Sequence, residues 1–221
     1  MIMIKNLTAL LLIASFVMSA RAGGLESLEM FVKSVKTGRA DFTQVVTPPS
    51  RDGHAPRVKT STGTFEFSRP GQFKFVYKKP FEQAIVADGQ TLWLYDVDLN
   101  QVTARKQAQA LSSTPAALIA SASDLKALQA DFALASEPEK DGSKDGLKDG
   151  IEWVTATPKT KDNQVQSVRI GFRAGTLAVL EILDSFGQKS RMSFTAFTAN
   201  APLDASTFLF KPPAGADVVR Q

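Results

Sequence analysis

The sequence predicts a mainly β protein of the α+β class, with one strongly curved antiparallel sheet that forms an open, unclosed β-barrel covered by helices. Three observations support this fold. An amphipathic helical pattern begins near residue 24, a long series of short runs with a period of two follows it, and a helical segment interrupts that series near the middle of the chain.

Residues 1–22 have the features of a secretory signal. Lys5 supplies a basic start, Leu7–Val17 is almost wholly apolar, and Ala20–Ala22 is a small-x-small cleavage pattern. Cleavage after Ala22 would leave 199 residues with a net charge near +2, which suits one sizeable domain over residues 23–221. We therefore expect an exported, soluble protein.

Composition argues against several function classes. The chain has no cysteine, which excludes a disulfide framework, a thiol nucleophile and a lipid-modified N-terminal cysteine. Its charges are mild and mixed, which is not typical of nucleic-acid binding. The single histidine, His54, lies in a Gly/Pro-rich loop without the companions that a catalytic triad or a zinc site needs. We expect no enzymatic activity, no cofactor and no metal.

The first element is a helix from Gly24 to Thr37. Apolar residues recur at helical spacing, with glutamates early and lysines late, as the helix dipole prefers. Strands are predicted from Arg39 onward. Their sequences are ADFTQVVT, STGTFEFS, FKFVYKK, QAIVADGQTLWLYD with a hairpin turn at Asp88-Gly89, QVTARK, DFALASE, GIEWVTATP, VQSVRIGFR, TLAVLEILD, SRMSFTAFT and TFLFKPP.

Two segments break the strand pattern. From Thr114, which can cap a helix, to Asp131 the sequence predicts one or two short helices. Asp141–Gly150 repeats Asp-Gly-x-Lys, but its acids lie four residues apart with lysines among them, unlike a calcium-binding EF-hand loop. We interpret this second segment as a solvated hairpin loop.

Aromatic residues alternate along two neighbouring predicted strands. Ordinary core packing would explain any one of these aromatic residues. If the connection between the two strands has an odd number of residues, however, all the aromatic side chains lie on the same face of the hairpin. The next hairpin strand, Leu92–Tyr95, is apolar on both faces, so both should be covered, for example by a lid or bound lipid. The candidate lipid-binding cavity comprises Phe65, Phe67, Phe73, Phe75, Tyr77, Leu92, Trp93, Leu94 and Tyr95. We call the first five of these residues the aromatic wall.

Arg69 stands in the turn at the end of the aromatic wall. It is either an exposed turn residue or a latch, whose planar guanidinium binds carbonyl groups at the ends of the short helices. Spacing alone leaves both interpretations open.

Six motifs in a fixed order resemble one known family: ADFTQ, FSRPGQFKF, VADGQTLWLYD, QVTAR, TPAALIA and FLFKPPAGADV. Together they resemble the LolA family, the periplasmic carriers of outer-membrane lipoproteins in Gram-negative bacteria. The resemblance implies a hydrophobic cavity for lipoprotein acyl chains and a monomeric carrier. It also implies a donor of the LolCDE ABC-transporter type, a receptor of the LolB type, and a latch between Arg69 and the segment Leu118, Ile119 and Ala120.

The predicted function is therefore that of a periplasmic chaperone, which binds the acyl chains of lipoproteins released from the inner membrane and delivers them to an outer-membrane receptor. The alternative is a periplasmic lipid-sensing or glycolipid-binding module on the same fold.

Overall fold

The computed structural model describes residues 23–50, 55–110, 124–137, 150–160 and 164–221. Four sequence-based expectations fall on other residues: the signal peptide at 1–22, His54, the lid residues Leu118, Ile119 and Ala120, and nearly all of the Asp141–Gly150 loop. These lie outside the described residues.

One sheet contains all the strands of the described residues. Its members are β1 (Thr37–Thr47), β2 (Lys59–Ser68), β3 (Gln72–Lys79), β4 (Gln83–Asp88), β5 (Thr91–Asp96), β6 (Gln101–Lys106), β7 (Phe132–Ser136), β8 (Glu152–Pro158), β9 (Val165–Arg173), β10 (Thr176–Asp184), β11 (Lys189–Ala199) and β12 (Asp217–Arg220).

The strand order is β12-β6-β5-β4-β3-β2-β1-β11-β10-β9-β8-β7. Strands that follow each other in the sequence are mostly neighbours, and β1 joins the two halves because it pairs with both β2 and β11. Among the described strands, β12 and β7 are the two edges and do not pair with each other, so the curved sheet is unclosed, as predicted. Pairing is antiparallel except between β12 and β6.

Helix α1 spans Gly24–Ser34 and covers one face of the sheet. Leu28, Phe31 and Val32 are buried on its apolar side and pack toward β7, β8 and β9. The helix ends three residues before the predicted position because Val35 is already extended and β1 begins at Thr37. We call the sheet face that α1 covers the inner face, and the opposite one the outer face.

Two short helices follow β6 in the described residues. Helix α2 spans Gln107–Ala110, before the predicted helical segment, and α3 spans Leu125–Asp131, within it. The Asp124 side chain caps α3 by accepting a hydrogen bond from the Ala127 N–H at 2.8 Å. The helical prediction is thus confirmed for residues 125–131.

The C-terminal segment corrects one prediction. TFLFKPP does not form a strand: Ala205–Phe208 is a 3₁₀ helix whose Asp204 cap accepts from the Ser206 N–H at 2.8 Å. Phe208 is buried and the helix packs against β3 and β4, while the two following prolines have no N–H to give to a ladder. The last strand is instead Asp217–Arg220, which sequence periodicity did not indicate.

Candidate functional site

The aromatic wall has the register that its sequence predicts. Arg69, Pro70 and Gly71 form a three-residue connection between paired Ser68 and Gln72. Gly71 adopts φ +80°, a left-handed conformation that glycine allows without strain. Phe65 is then paired with Phe75, Phe67 with Phe73, and Gly63 with Tyr77. Because directly paired residues share a face, all five rings lie on one side of the hairpin.

The wall is buried on the inner face. The rings of Phe65 and Phe75 stack with centroids 4.3 Å apart, and Tyr77 meets Phe42 of β1 edge-on at 5.0 Å. Phe31 of α1 lies 6.2 Å from Phe67. The four phenylalanines of the wall are at most 3% exposed. In this structure the wall is therefore part of the hydrophobic core that lies between the sheet and α1.

Two residues of β5 extend the wall. The ladder places Leu92 beside Ala87, which pairs with Phe73, and Leu94 beside Ile85, which pairs with Phe75. Leu92 and Leu94 thus lie on the inner face with the rings.

Trp93 and Tyr95 point to the outer face, where protein covers them. Their rings lie 5.5 and 6.0 Å from the ring of Phe210, in the C-terminal segment. The Trp93 indole N–H also donates to the Asp88 carboxylate at 2.9 Å. The sequence predicts cover on both faces of β5, and on the outer face that cover is Phe210. The sheet separates Trp93 and Tyr95 from the aromatic wall.

Arg69 binds the C-terminal end of α1. Its Nη1 donates to the carbonyls of Val35 at 2.5 Å, Phe31 at 3.3 Å and Val32 at 3.4 Å. The guanidinium carbon lies 4.9 Å from the centre of the Phe31 ring and 5.1 Å from that of Phe67. Burial lowers the pKa of Arg69 to about 10, so the side chain stays charged at neutral pH.

The α1 contact was missed from the sequence, although a signal for it exists. The last carbonyls of a helix lack partners within the helix and carry its negative dipole end, so they attract a cation. Because Thr37 at the start of β1 pairs with Ser68 at the end of β2, the Arg69 turn must lie beside the end of α1. The expected partners Leu118, Ile119 and Ala120 lie outside the described residues, and that contact stays a prediction.

Gln107 was also missed. It is a polar residue only 3% exposed, at the start of α2. Its Nε2 donates to the Gly71 carbonyl at 2.6 Å, and its Oε1 accepts from the Gly89 N–H at 2.9 Å. Gln107 therefore joins the turn that carries Arg69 to the β4–β5 turn and to α2.

The chemistry of the described residues is that of packing and hydrogen bonding. Within those residues there is no group of three or more His, Cys, Asp or Glu side chains that could hold a metal ion. No helix in the described part of the chain is long and apolar enough to cross a membrane.

Structural comparison supports the fold. A crystal structure of an uncharacterized conserved protein from Thermus thermophilus aligns with a TM-score of 0.53 over 90% of this chain and 97% of that chain, at 13% identity.

Sequence comparison identifies the family. A sequence profile described as "Outer membrane lipoprotein carrier protein LolA" matches residues 33–211. An outer-membrane lipoprotein carrier protein of Albidiferax ferrireducens is 67% identical over 96% of this chain and 98% of the relative. One from Methylibium petroleiphilum is 51% identical over 92% of both chains. The chain belongs to the LolA family of outer-membrane lipoprotein carrier proteins.

Proposed function

We propose that this protein is a periplasmic chaperone that shields the acyl chains of lipoproteins from water and delivers them to an outer-membrane receptor. The observation that carries this proposal is the aromatic wall, with Leu92 and Leu94 beside it, on the inner face of an unclosed sheet. Membership of a family named for lipoprotein carriage supports the same conclusion.

The aromatic wall, Leu92 and Leu94 provide the surface for the acyl chains. Transfer of one CH₂ group from water to such a surface is worth about 0.8 kcal/mol, so a complete chain binds tightly without any charged group. In this structure the rings contact one another and Phe31 of α1. Cargo must therefore replace some of these contacts, which requires the cover to move away from the wall.

Arg69 acts as the latch on that cover. Its bonds to the end of α1 hold this helix beside the β2–β3 turn, and the family resemblance adds the Leu118–Ala120 segment as a second partner. Each hydrogen bond to a charged group contributes roughly 1.5–3 kcal/mol. Loading breaks the latch, and its re-formation favours release, because differential stability of the two states sets the direction of transfer.

The partners follow from this cycle. Cargo arrives from a LolCDE-type transporter of the inner membrane and leaves to a LolB-type receptor, so each step hands an acyl chain from one apolar site to another. The carrier works as a monomer of residues 23–221, after removal of a signal peptide behind Ala22, and uses no catalytic group.

Recovery of the protein from the periplasm tests this function. Mass spectrometry of the purified protein should find the chain beginning at Gly23 and lipoproteins bound to it in equimolar complexes. Recovery of glycolipids in place of lipoproteins, or of Met1 retained in a membrane fraction, would overturn the proposal.

A further inference from the structure

A polar cleft lies at the end of the sheet opposite Arg69. Its volume is about 480 Å³, and it opens between the β3–β4 and β5–β6 turns. Tyr77, Gln83 and Asp96 form its floor and belong to one row of paired residues across β3, β4 and β5. Since Tyr77 belongs to the aromatic wall, the whole row lies on the inner face.

The aromatic wall continues into this cleft without a break. Tyr77 follows Phe75 by two residues on the same face of β3. The Phe42 ring bridges the two, with its centroid 5.6 Å from Phe75 and 5.0 Å from Tyr77. Tyr77 is therefore both the last ring of the aromatic wall and the first hydrogen-bonding side chain of the cleft.

Hydroxyl and amide side chains line the cleft beyond Tyr77, together with the carboxylates of Asp96 and Asp98. Ser61 and Gln83 are half-buried there, and within the described residues their side chains make no hydrogen bond. Gln44 pairs with Ser61 across β1 and β2, and its amide donates to the Ser190 hydroxyl at 2.8 Å. Hydroxyl and amide side chains offer both donors and acceptors, which is what the N–H and C=O groups of an extended peptide need.

Two exposed apolar side chains lie at the entrance of the cleft. Phe81 in the β3–β4 turn is 70% exposed and Leu99 in the β5–β6 turn is 71% exposed. Both line the cleft, and Asp96 fixes the second turn by accepting from the Leu99 N–H at 3.0 Å. Exposed apolar residues beside a cavity are typical of a binding surface.

We propose that this cleft binds the peptide segment next to the acylated end of the cargo, while the acyl chains lie on the aromatic wall. An acylated polypeptide joins an apolar tail directly to an amide backbone, and the inner face joins an apolar wall directly to amide-binding side chains. Phe81 and Leu99 then cover apolar side chains of the cargo. The inference rests on the proposed function and adds a peptide subsite to it.

Charge argues for a peptide rather than a lipid surface as the partner of these turns. Attraction to anionic membranes comes from clusters of basic residues without compensation. Here carboxylates outnumber lysines along the two turns: Lys78, Lys79, Glu82, Asp96 and Asp98. An anionic bilayer would gain no net attraction at this point.

Two binding probes test the subsite: a synthetic acylated peptide and a fluorescent fatty acid with the same acyl chain. A Ser61→Ala/Gln83→Ala double variant should bind the acylated peptide roughly tenfold more weakly, because two hydrogen bonds are lost. A Phe81→Ala/Leu99→Ala variant should show a similar loss. Both variants should bind the fatty acid like the unmodified protein, and their thermal melts should confirm that they fold.

Phe186→Ala is the matched control. Phe186 is 78% exposed in the β10–β11 turn, away from the cleft, and its loss should change neither affinity. Unchanged acylated-peptide binding by both double variants would overturn the subsite, as would an equal loss for the fatty acid. A loss of binding to anionic vesicles with normal peptide affinity would assign the turns to membranes instead. If the unmodified protein bound neither probe, the proposed function itself would fail.

Discussion

Two arginines are each placed over an aromatic ring, and they differ in the groups that they bind. Arg69 covers Phe31 at 4.9 Å and donates to uncharged carbonyls at the end of α1. Arg169 of β9 covers Trp153 of β8 at 4.2 Å on the outer face and pairs with two carboxylates. Bidentate bonds of 2.5 and 2.6 Å join it to Glu137, and another joins it to Glu181, which also binds Arg191.

The difference lies in how easily each contact is broken. The hydrogen bonds that Arg169 donates to Glu137 are the main cause that raises the pKa of Arg169, whereas burial lowers the pKa of Arg69. Bonds from an arginine to carboxylates add ion-pair attraction that its bonds to neutral carbonyls lack, and breaking the Arg169 pairs would remove the cation that joins Glu137 to Glu181. This contrast fits the proposed function, in which the Glu137–Arg169–Glu181–Arg191 ion-pair network holds the sheet together and the Arg69 contacts break when cargo enters.

The largest expected effect concerns the aromatic wall. Phe75→Asp should abolish binding of a fluorescent fatty-acyl probe, because a carboxylate on the wall removes the apolar surface and attracts water. Its melting temperature should fall less than that of Leu180→Asp, a matched change at a 1%-exposed position of β10. Probe titration and thermal melts measure the two quantities. Normal probe binding together with a collapsed melting temperature would show that Phe75 is ordinary core.

The Glu137–Arg169–Glu181–Arg191 ion-pair network should affect the stability of the protein but not its binding and transfer of lipoproteins. Arg169→Leu should lower the free energy of unfolding by about 1–3 kcal/mol, since it removes the cation that joins Glu137 to Glu181. Denaturant melts check this value. The folded variant should still load and transfer cargo, and a specific loss of transfer would contradict the contrast between this network and the Arg69 contacts.

The smallest effect concerns Asp88, which orders the β4–β5 turn. Burial acts to raise the pKa of its carboxyl, but hydrogen bonds from Thr91, Trp93 and Gln90 together outweigh it and hold the pKa below its ordinary value. A carboxyl with a lowered pKa in the folded state contributes stability above its unfolded pKa and loses it as pH falls through the folded value. Asp88→Asn should therefore destabilise the protein at neutral pH, by at most about 1 kcal/mol because solvent screens a largely exposed carboxyl.

The difference in the free energy of unfolding between Asp88→Asn and the unmodified protein should disappear below the folded pKa of Asp88. Chemical denaturation at several pH values, with Trp93 fluorescence as a local probe, measures it. A difference that persists unchanged at acid pH would mean that the charge of Asp88 contributes nothing.

The sequence predicted those parts of the fold that depend on local patterns. The period of two gave the strands from Arg39 to Ala199, and the three-residue Arg69–Gly71 connection gave the register of the aromatic wall. Periodicity could not find β12, because it is only four residues long and pairs in parallel with distant β6. Periodicity places Leu92 and Leu94 on one face of β5 and Trp93 and Tyr95 on the other, but it could not show that the second pair lies away from the aromatic wall, because the Phe210 that covers this pair is remote in sequence.

Tertiary contacts also decide the roles of single polar residues. The latch interpretation of Arg69 follows from the chemistry of helix ends, but the choice of α1 as a partner depends on the β1–β2 pairing. Gln107 gave no signal at all, because a glutamine after a strand is normally exposed and only its contacts with Gly71 and Gly89 give it a function.

The most direct test of the account is a two-step assay of Arg69→Leu, in which loading with purified lipoprotein and transfer to receptor-bearing vesicles are scored separately. Loading should be retained, because the aromatic wall is intact, and transfer should be at least roughly tenfold slower, because the contacts whose re-formation favours release are gone. Arg69→Lys, which lacks the planar fork, should be intermediate, and Arg169→Leu should complete both steps. Normal transfer by Arg69→Leu, or failure of that variant to load cargo at all, would contradict the latch.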